Sequence, residues 1–215
     1  MTQVSNSHLI TEVFEEKINA IIHLIFFLLL CALGFDTLTQ KIITGSFSGH
    51  IFLIYLFFTL STFIISGAYH LCKLENNRKK LRLLDHISIF TMIAANYMPV
   101  FIVGVGGKLG NTAAVIIWTL AILGIFYKIT SLGKWPRFST LLYCVMGWSF
   151  LIFTNELLIN IDQASIEFLL LGGLTYMVGV YFYSYDEKPY YHALWHIFSG
   201  FGALFHFFAI VRILS

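Results

Sequence analysis

Residues 49–72 read GHIFLIYLFFTLSTFIISGAYHLC, and the fold follows from how this stretch is read. It contains no Asp, Glu, Lys or Arg, and it is longer than the ~20 apolar residues that cross the hydrocarbon of a bilayer. Long Leu, Ile and Phe runs without period-two alternation reject a membrane strand. A helix also satisfies its own backbone groups where water is absent. Ser66 and His70 fall together in its last turns.

Working outward, six further apolar stretches are bounded by charge or turn signals, at 19–38 before it and at 83–104, 111–127, 138–159, 166–183 and 190–214 after it. The expectation is an all-α membrane protein, a single seven-transmembrane-helix bundle spanning residues 1–215. Composition agrees. Of 215 residues, 58% are hydrophobic and only 11% charged, against about a quarter charged in soluble domains. Mean hydropathy is +0.82. A net charge of +2 argues against a nucleic-acid module. Three scattered cysteines (Cys31, Cys72, Cys144) carry no paired spacing and so no disulfide framework. Glu12, Glu15 and Glu16 make the first flank too acidic for a signal peptide, so the first segment is read as a retained helix.

Positive charge sets the expected orientation. With the N-terminus in the cytoplasm, the inner side holds Lys17, Lys73, Arg78, Lys79, Lys80, Arg82, Lys128, Lys134, Arg137 and Lys188. The outer side keeps Lys41, Lys108 and Arg212, which is 10 against 3 of the 13 Lys and Arg. A multi-pass membrane protein with a cytoplasmic N-terminus is what this predicts.

Ionisable groups inside membrane helices are costly and mark candidate sites. Ser66 and His70 close the second segment, Asp85 and His86 open the third, and His192 and His196 open the seventh. On the expected topology all of them lie at the cytoplasmic helix ends. His192 and His196 are four apart, so both imidazoles share one face, as in helices whose two histidines hold one metal. His70 supplies a third nitrogen and leaves a coordination position open, the pattern of a catalytic zinc. Such a metal lowers the pKa of bound water to about 7. Asp85 is placed to handle a proton and Ser66 to hydrogen-bond water or an oxyanion. His23 is read as a neighbouring hydrogen-bond partner or as packing, His86 as a partner or a headgroup contact, and His206 as an interhelical hydrogen-bonding group.

The pieces Glu16-Lys17-Ile18-Asn19 with His23, Ser66-Gly67-Ala68-Tyr69-His70, Leu84-Asp85-His86-Ile87-Ser88-Ile89-Phe90, Ala94-Ala95-Asn96-Tyr97-Met98-Pro99 and His192-Ala193-Leu194-Trp195-His196 occur in this order along the chain. Their order and spacing resemble the hemolysin III family, the bacterial branch related to the progestin and adipoQ receptors. The resemblance implies a cytoplasmic N-terminus, zinc on His70, His192 and His196, and Ser66 and Asp85 beside it. It also implies ceramidase-like hydrolysis of a lipid amide or ester, with membrane lipid as partner. The alternatives are a membrane-lytic hemolysin, or a lipid-sensing receptor-like protein in which zinc is structural.

Overall fold

A computed structural model describes residues 2–43, 47–131 and 136–215, with side chains at 11, 13–37, 39, 47–131 and 137–215. Residues 132–135, which include Lys134 of the inner-side charges, and the side chain of Lys41 lie outside the described residues. The described residues form helices and no strand: α1 (Thr2–Ile43), α2 (Phe47–Leu71), α3 (Glu75–Pro99), α4 (Gly107–Ser131), α5 (Pro136–Gly147), α6 (Thr154–Asn160), α7 (Gln163–Tyr183) and α8 (Tyr191–Ile213). Seven stretches among them are long and apolar enough to cross a membrane. α5 and α6 together make the fifth.

One departure from the expected loops and two from regular helix have local causes. The basic run Arg78, Lys79, Lys80 and Arg82 lies inside α3, which begins at Glu75, so most of the charge expected in a loop sits on the first turns of a helix. Pro99 lacks a donor, and the chain beyond it widens into a π-helical turn at Val100–Val105 instead of ending. The turn into α4 uses Gly106 and Gly107, both at positive φ.

The fifth span breaks at Gly147, and a 3-10 turn at Ser149–Phe153 joins its halves. Tyr97 closes that break. Its hydroxyl donates to the Gly147 carbonyl at 2.6 Å and accepts the Phe150 N–H at 3.3 Å. Asn160 donates to the Val105 carbonyl of the π turn at 3.1 Å. Irregular backbone at membrane depth persists where protein groups re-satisfy it in this way.

Helices approach closely where small residues face large ones, because lipid gives them no hydrophobic reason to associate. Phe26 of α1 fills the space over Gly200 of α8, and Phe90 of α3 that over Gly124 of α4. The outer faces expose Phe57, Val115, Leu123 and Ile152, as a lipid-facing surface requires.

Candidate metal centre

α1, α2 and α8 bring His23, His70 and His196 together at one end of the bundle, each about 5% exposed. One ligand nitrogen from each lies within 4.8 Å of the other two. His70 Nε2 faces His196 Nε2 at 3.0 Å, and His196 Nδ1 faces His23 Nε2 at 3.0 Å. His192 stands beside them, its ring centroid 4.6 Å from that of His196 and 5.5 Å from that of His70. It is half-buried, and its Nδ1 is 3.8 Å from the Asp186 carboxylate, beyond hydrogen-bond range. The motif residues His70 and His196 therefore meet directly, His192 adjoins them, and His23 completes the buried group.

Glu16 anchors the group. Its carboxylate accepts the His70 Nδ1–H at 2.6 Å, and its second oxygen pairs with the Arg78 guanidinium. With Glu16 ionised and the imidazoles neutral, the contacts permit one consistent set of tautomers. His70 Nδ1–H points to Glu16, so His70 Nε2 is bare and accepts from His196 Nε2–H. His196 Nδ1 is then bare and accepts from His23 Nε2–H, which leaves a lone pair at His23 Nδ1. That atom is buried and has no hydrogen-bond partner among the described residues. A divalent cation held here would sit between the facing Nε2 atoms of His70 and His196 in place of the proton between them, with His196 Nδ1–H then donating to His23 Nε2. Two zinc–nitrogen bonds of about 2.05 Å at a tetrahedral angle put the nitrogens roughly 3.3 Å apart, close to the separations present here. The donor set fits a borderline imidazole-binding metal.

Ser66 and Asp85 lie next to the histidines. The Ser66 hydroxyl hydrogen-bonds to the Asp85 carboxylate, and His70 and His192 are the imidazoles in electrostatic reach of it. All of them except His70 line a cavity of about 260 Å³ whose other walls include Phe63, Ile89, Met92 and Trp195. His86 also lines it, while its carbonyl accepts the Tyr143 hydroxyl at 2.9 Å. Next to Glu16, Glu15 accepts the backbone N–H of Tyr190. Tyr190 sits in a left-handed conformation (φ 64°) at the start of α8, the helix that carries His192 and His196. Two consecutive acids of α1 thus tie down α2, α3 and α8 around the site.

Glu15, Glu16 and Arg78 enter the sequence reading only through flank charge and a motif, and not as site residues. A signal was present. Glu16, Asn19 and His23 follow helical spacing on one face of α1, and Asn19 and His23 are buried.

A seven-helix membrane protein with a buried histidine cluster at one end of its bundle is the class that fold and site define. The family model described as "Haemolysin-III related" matches residues 11–209, and the chain belongs to that family. It is 38% identical over 160 residues to "Hemolysin-3" of Bacillus cereus, covering 74% of this chain and 69% of that protein. It is 32% identical over 206 residues to "Hemolysin-3 homolog" of Bacillus subtilis (strain 168), covering 92% of this chain and 93% of that protein. The similarity extends to "Monocyte to macrophage differentiation factor" of Homo sapiens, 28% identical over 158 residues, or 71% of this chain and 65% of the human protein.

Proposed function

We propose that the chain is an integral-membrane, zinc-dependent hydrolase that cleaves a lipid amide or ester bond. The observation carrying this reading is the approach of His70 Nε2 to His196 Nε2, 3.0 Å apart, beside a cavity that also holds the Ser66–Asp85 pair. The other nitrogen of each histidine is already engaged, by Glu16 on His70 and by His23 on His196. Ligating histidines characteristically have their second nitrogen held in this way. Their free faces and the cavity-lining His192 make the ligand set His70, His192 and His196, with His23 as a supporting hydrogen-bond partner. When bound there, zinc supplies Lewis acidity toward a carbonyl and acidifies water.

The chain's own residues do the rest. Asp85 holds or releases a proton at its carboxylate, and Ser66 fixes that carboxylate's orientation by its hydrogen bond. The apolar walls take up an acyl chain and exclude water from the polar end. The excess of Lys and Arg assigned to one side supports a cytoplasmic N-terminus with the polar end at the cytoplasmic face, and the Bacillus relatives support a bacterial inner membrane as the setting.

Elemental analysis of the purified wild type beside the His23, His70, His192 and His196 alanine variants tests the site. The expected result is stoichiometric zinc in the wild type, none in the His70, His192 and His196 variants, and weakened retention in His23→Ala. Loss of zinc in His23→Ala with retention in His192→Ala would move the third ligand to His23. Asp85→Ala is expected to keep the metal and lose lipid turnover; unchanged turnover sinks the hydrolase reading. Lysis of erythrocytes by protein stripped of all the ligand histidines would put the activity in the Bacillus relatives' names outside this site.

A further inference from the structure

The cavity continues beyond Ser66 and Asp85. Asn96 lies roughly three turns past Asp85 on α3, and His206 roughly three turns past His196 on α8, ~15 Å deeper at 1.5 Å per residue. Tyr176 of α7 lines the same inner end. Three helices therefore bring a polar side chain to one depth, well inside the apolar part of the bundle.

This inner group is held in place by reciprocal packing. The His206 ring occupies the space a Cβ at Gly172 would take, and the Tyr176 ring the space over Gly202, where an added Cβ would lie 2.8 Å from Tyr176 Cδ2. Each glycine is four residues before the large residue on its own helix, so α7 and α8 interlock reciprocally, as if related by a two-fold axis. The two rings end with centroids 5.4 Å apart. His206 also hydrogen-bonds to the Leu169 carbonyl. Yet Asn96 Oδ1, the Tyr176 hydroxyl and His206 Nδ1 are buried with no hydrogen-bond partner among the described residues, and Asn96 is only 8% exposed.

The chemistry of these atoms is specific. With the other His206 nitrogen donating to Leu169, Nδ1 is an acceptor, as is Asn96 Oδ1, while a phenol both donates and accepts. The charged residues lining the cavity, Arg82, Asp85 and Asp186, belong to its other end, so the inner group suits a neutral donor. An alcohol O–H on a chain lying in the cavity donates to one of the two acceptors and accepts from the phenol, whereas a plain hydrocarbon leaves all three buried polar atoms unpaired, which is costly. We infer that Asn96, Tyr176 and His206 form a subsite for a hydroxyl group carried on the acyl chain of a lipid, at or beyond mid-chain. The inference rests on the reading above that a lipid enters with its head toward Asp85.

The test compares ricinoleic acid with oleic acid, which differ only in a mid-chain hydroxyl. Both are used to displace a fluorescent fatty acid from the purified full-length protein. The wild type is expected to bind ricinoleic acid about threefold to tenfold more tightly, the value of one buried hydrogen bond. Asn96→Leu and Tyr176→Phe should each shrink that ratio toward one while leaving oleic acid affinity in place, which also reports that the fold is intact. Equal binding of the two acids by the wild type overturns the inference, and so does a preference that survives both substitutions. Binding is read separately from turnover. A protein that prefers ricinoleic acid but hydrolyses no lipid loses the hydrolase reading and keeps the subsite. One that hydrolyses lipid without the preference does the reverse. Failure to bind either acid removes the subsite together with its premise.

Discussion

The two ends of the bundle are built on opposite principles. At one end, side chains from α1, α2, α3 and α8 meet as a chain of polar contacts running from Arg78 through Glu16, His70 and His196 to His23. At the other, Phe101, Val105, Ala113, Ile117, Phe150 and Leu157 close a dry core around the π turn and the broken fifth span. The dry end keeps its irregular backbone by sealing it with Tyr97 and Asn160. The histidine end leaves a cavity open and keeps a bare nitrogen inside it. Packing alone explains the first end. The second holds polar groups at a cost that packing does not repay, which is the physical reason to place function there.

The contrast predicts that substitutions at the dry end act on the fold and those at the histidine end act on the metal. The largest effect is expected from Gly110→Leu, because a Cβ at Gly110 runs into the Phe101 carbonyl, and backbone cannot swing aside. A loss of about 3 kcal/mol of stability, or failure to fold, should appear in thermal unfolding in detergent. Any folded fraction should still bind zinc. Loss of metal binding in a folded Gly110→Leu protein would break the comparison.

Metal removal is next in size. Chelation should lower the unfolding temperature, and zinc at a hundred times its Kd should restore about 2.7 kcal/mol. The restoration should vanish in His196→Ala. A metal response that persists in that variant, followed by the same unfolding assay, would place the metal elsewhere.

Glu16→Gln sharpens the comparison without disturbing packing. A neutral amide no longer fixes the His70 Nδ1–H, so zinc affinity should fall about tenfold to a hundredfold in competition with a colorimetric chelator. Unfolding of the metal-free protein should hardly change. The reverse outcome, intact affinity with lost stability, would make Glu16 a structural clamp only.

The smallest effect belongs to Asp162, which caps α7. Its carboxylate accepts from the Ser165 hydroxyl at 2.8 Å and the Ser165 N–H at 3.0 Å, and Arg212 of α8 donates to it at 3.1 Å. Those contacts, the Ser165 hydroxyl foremost, hold its pKa below the ordinary carboxylate value. A carboxyl depressed in the folded state adds stability above its unfolded pKa, and that contribution is lost as pH falls through the lower folded value. Wild type and Asp162→Ala should therefore differ slightly at neutral pH and converge in strongly acidic buffer. A gap that persists there would show that the cap does not depend on charge.

The seven spans were legible because hydrocarbon imposes length and composition on each segment separately, and residues 49–72 already display both. The polar outliers Ser66, His70, Asp85, His192 and His196 were legible for the same reason: an ionisable group stands out in an apolar run. The break after Gly147 was hidden, since nothing in the apolar run around Trp148 interrupts its hydropathy, and only Tyr97 on another helix makes the irregular backbone tolerable.

The sequence by itself determined that this is a seven-helix membrane protein of the haemolysin-III related family and which helices carry its costly polar groups. Both follow from residue type and local spacing. The tertiary structure alone decided which of those groups touch. It grouped a ligand nitrogen of His23, rather than of His192, with those of His70 and His196, joined Glu16 to His70 across 54 positions of sequence, and gathered Asn96, Tyr176 and His206 at one depth. Such pairings depend on how far each helix is rotated and shifted against its neighbours. Glycines at the contacts fix that rotation, and a single segment's hydropathy does not contain it.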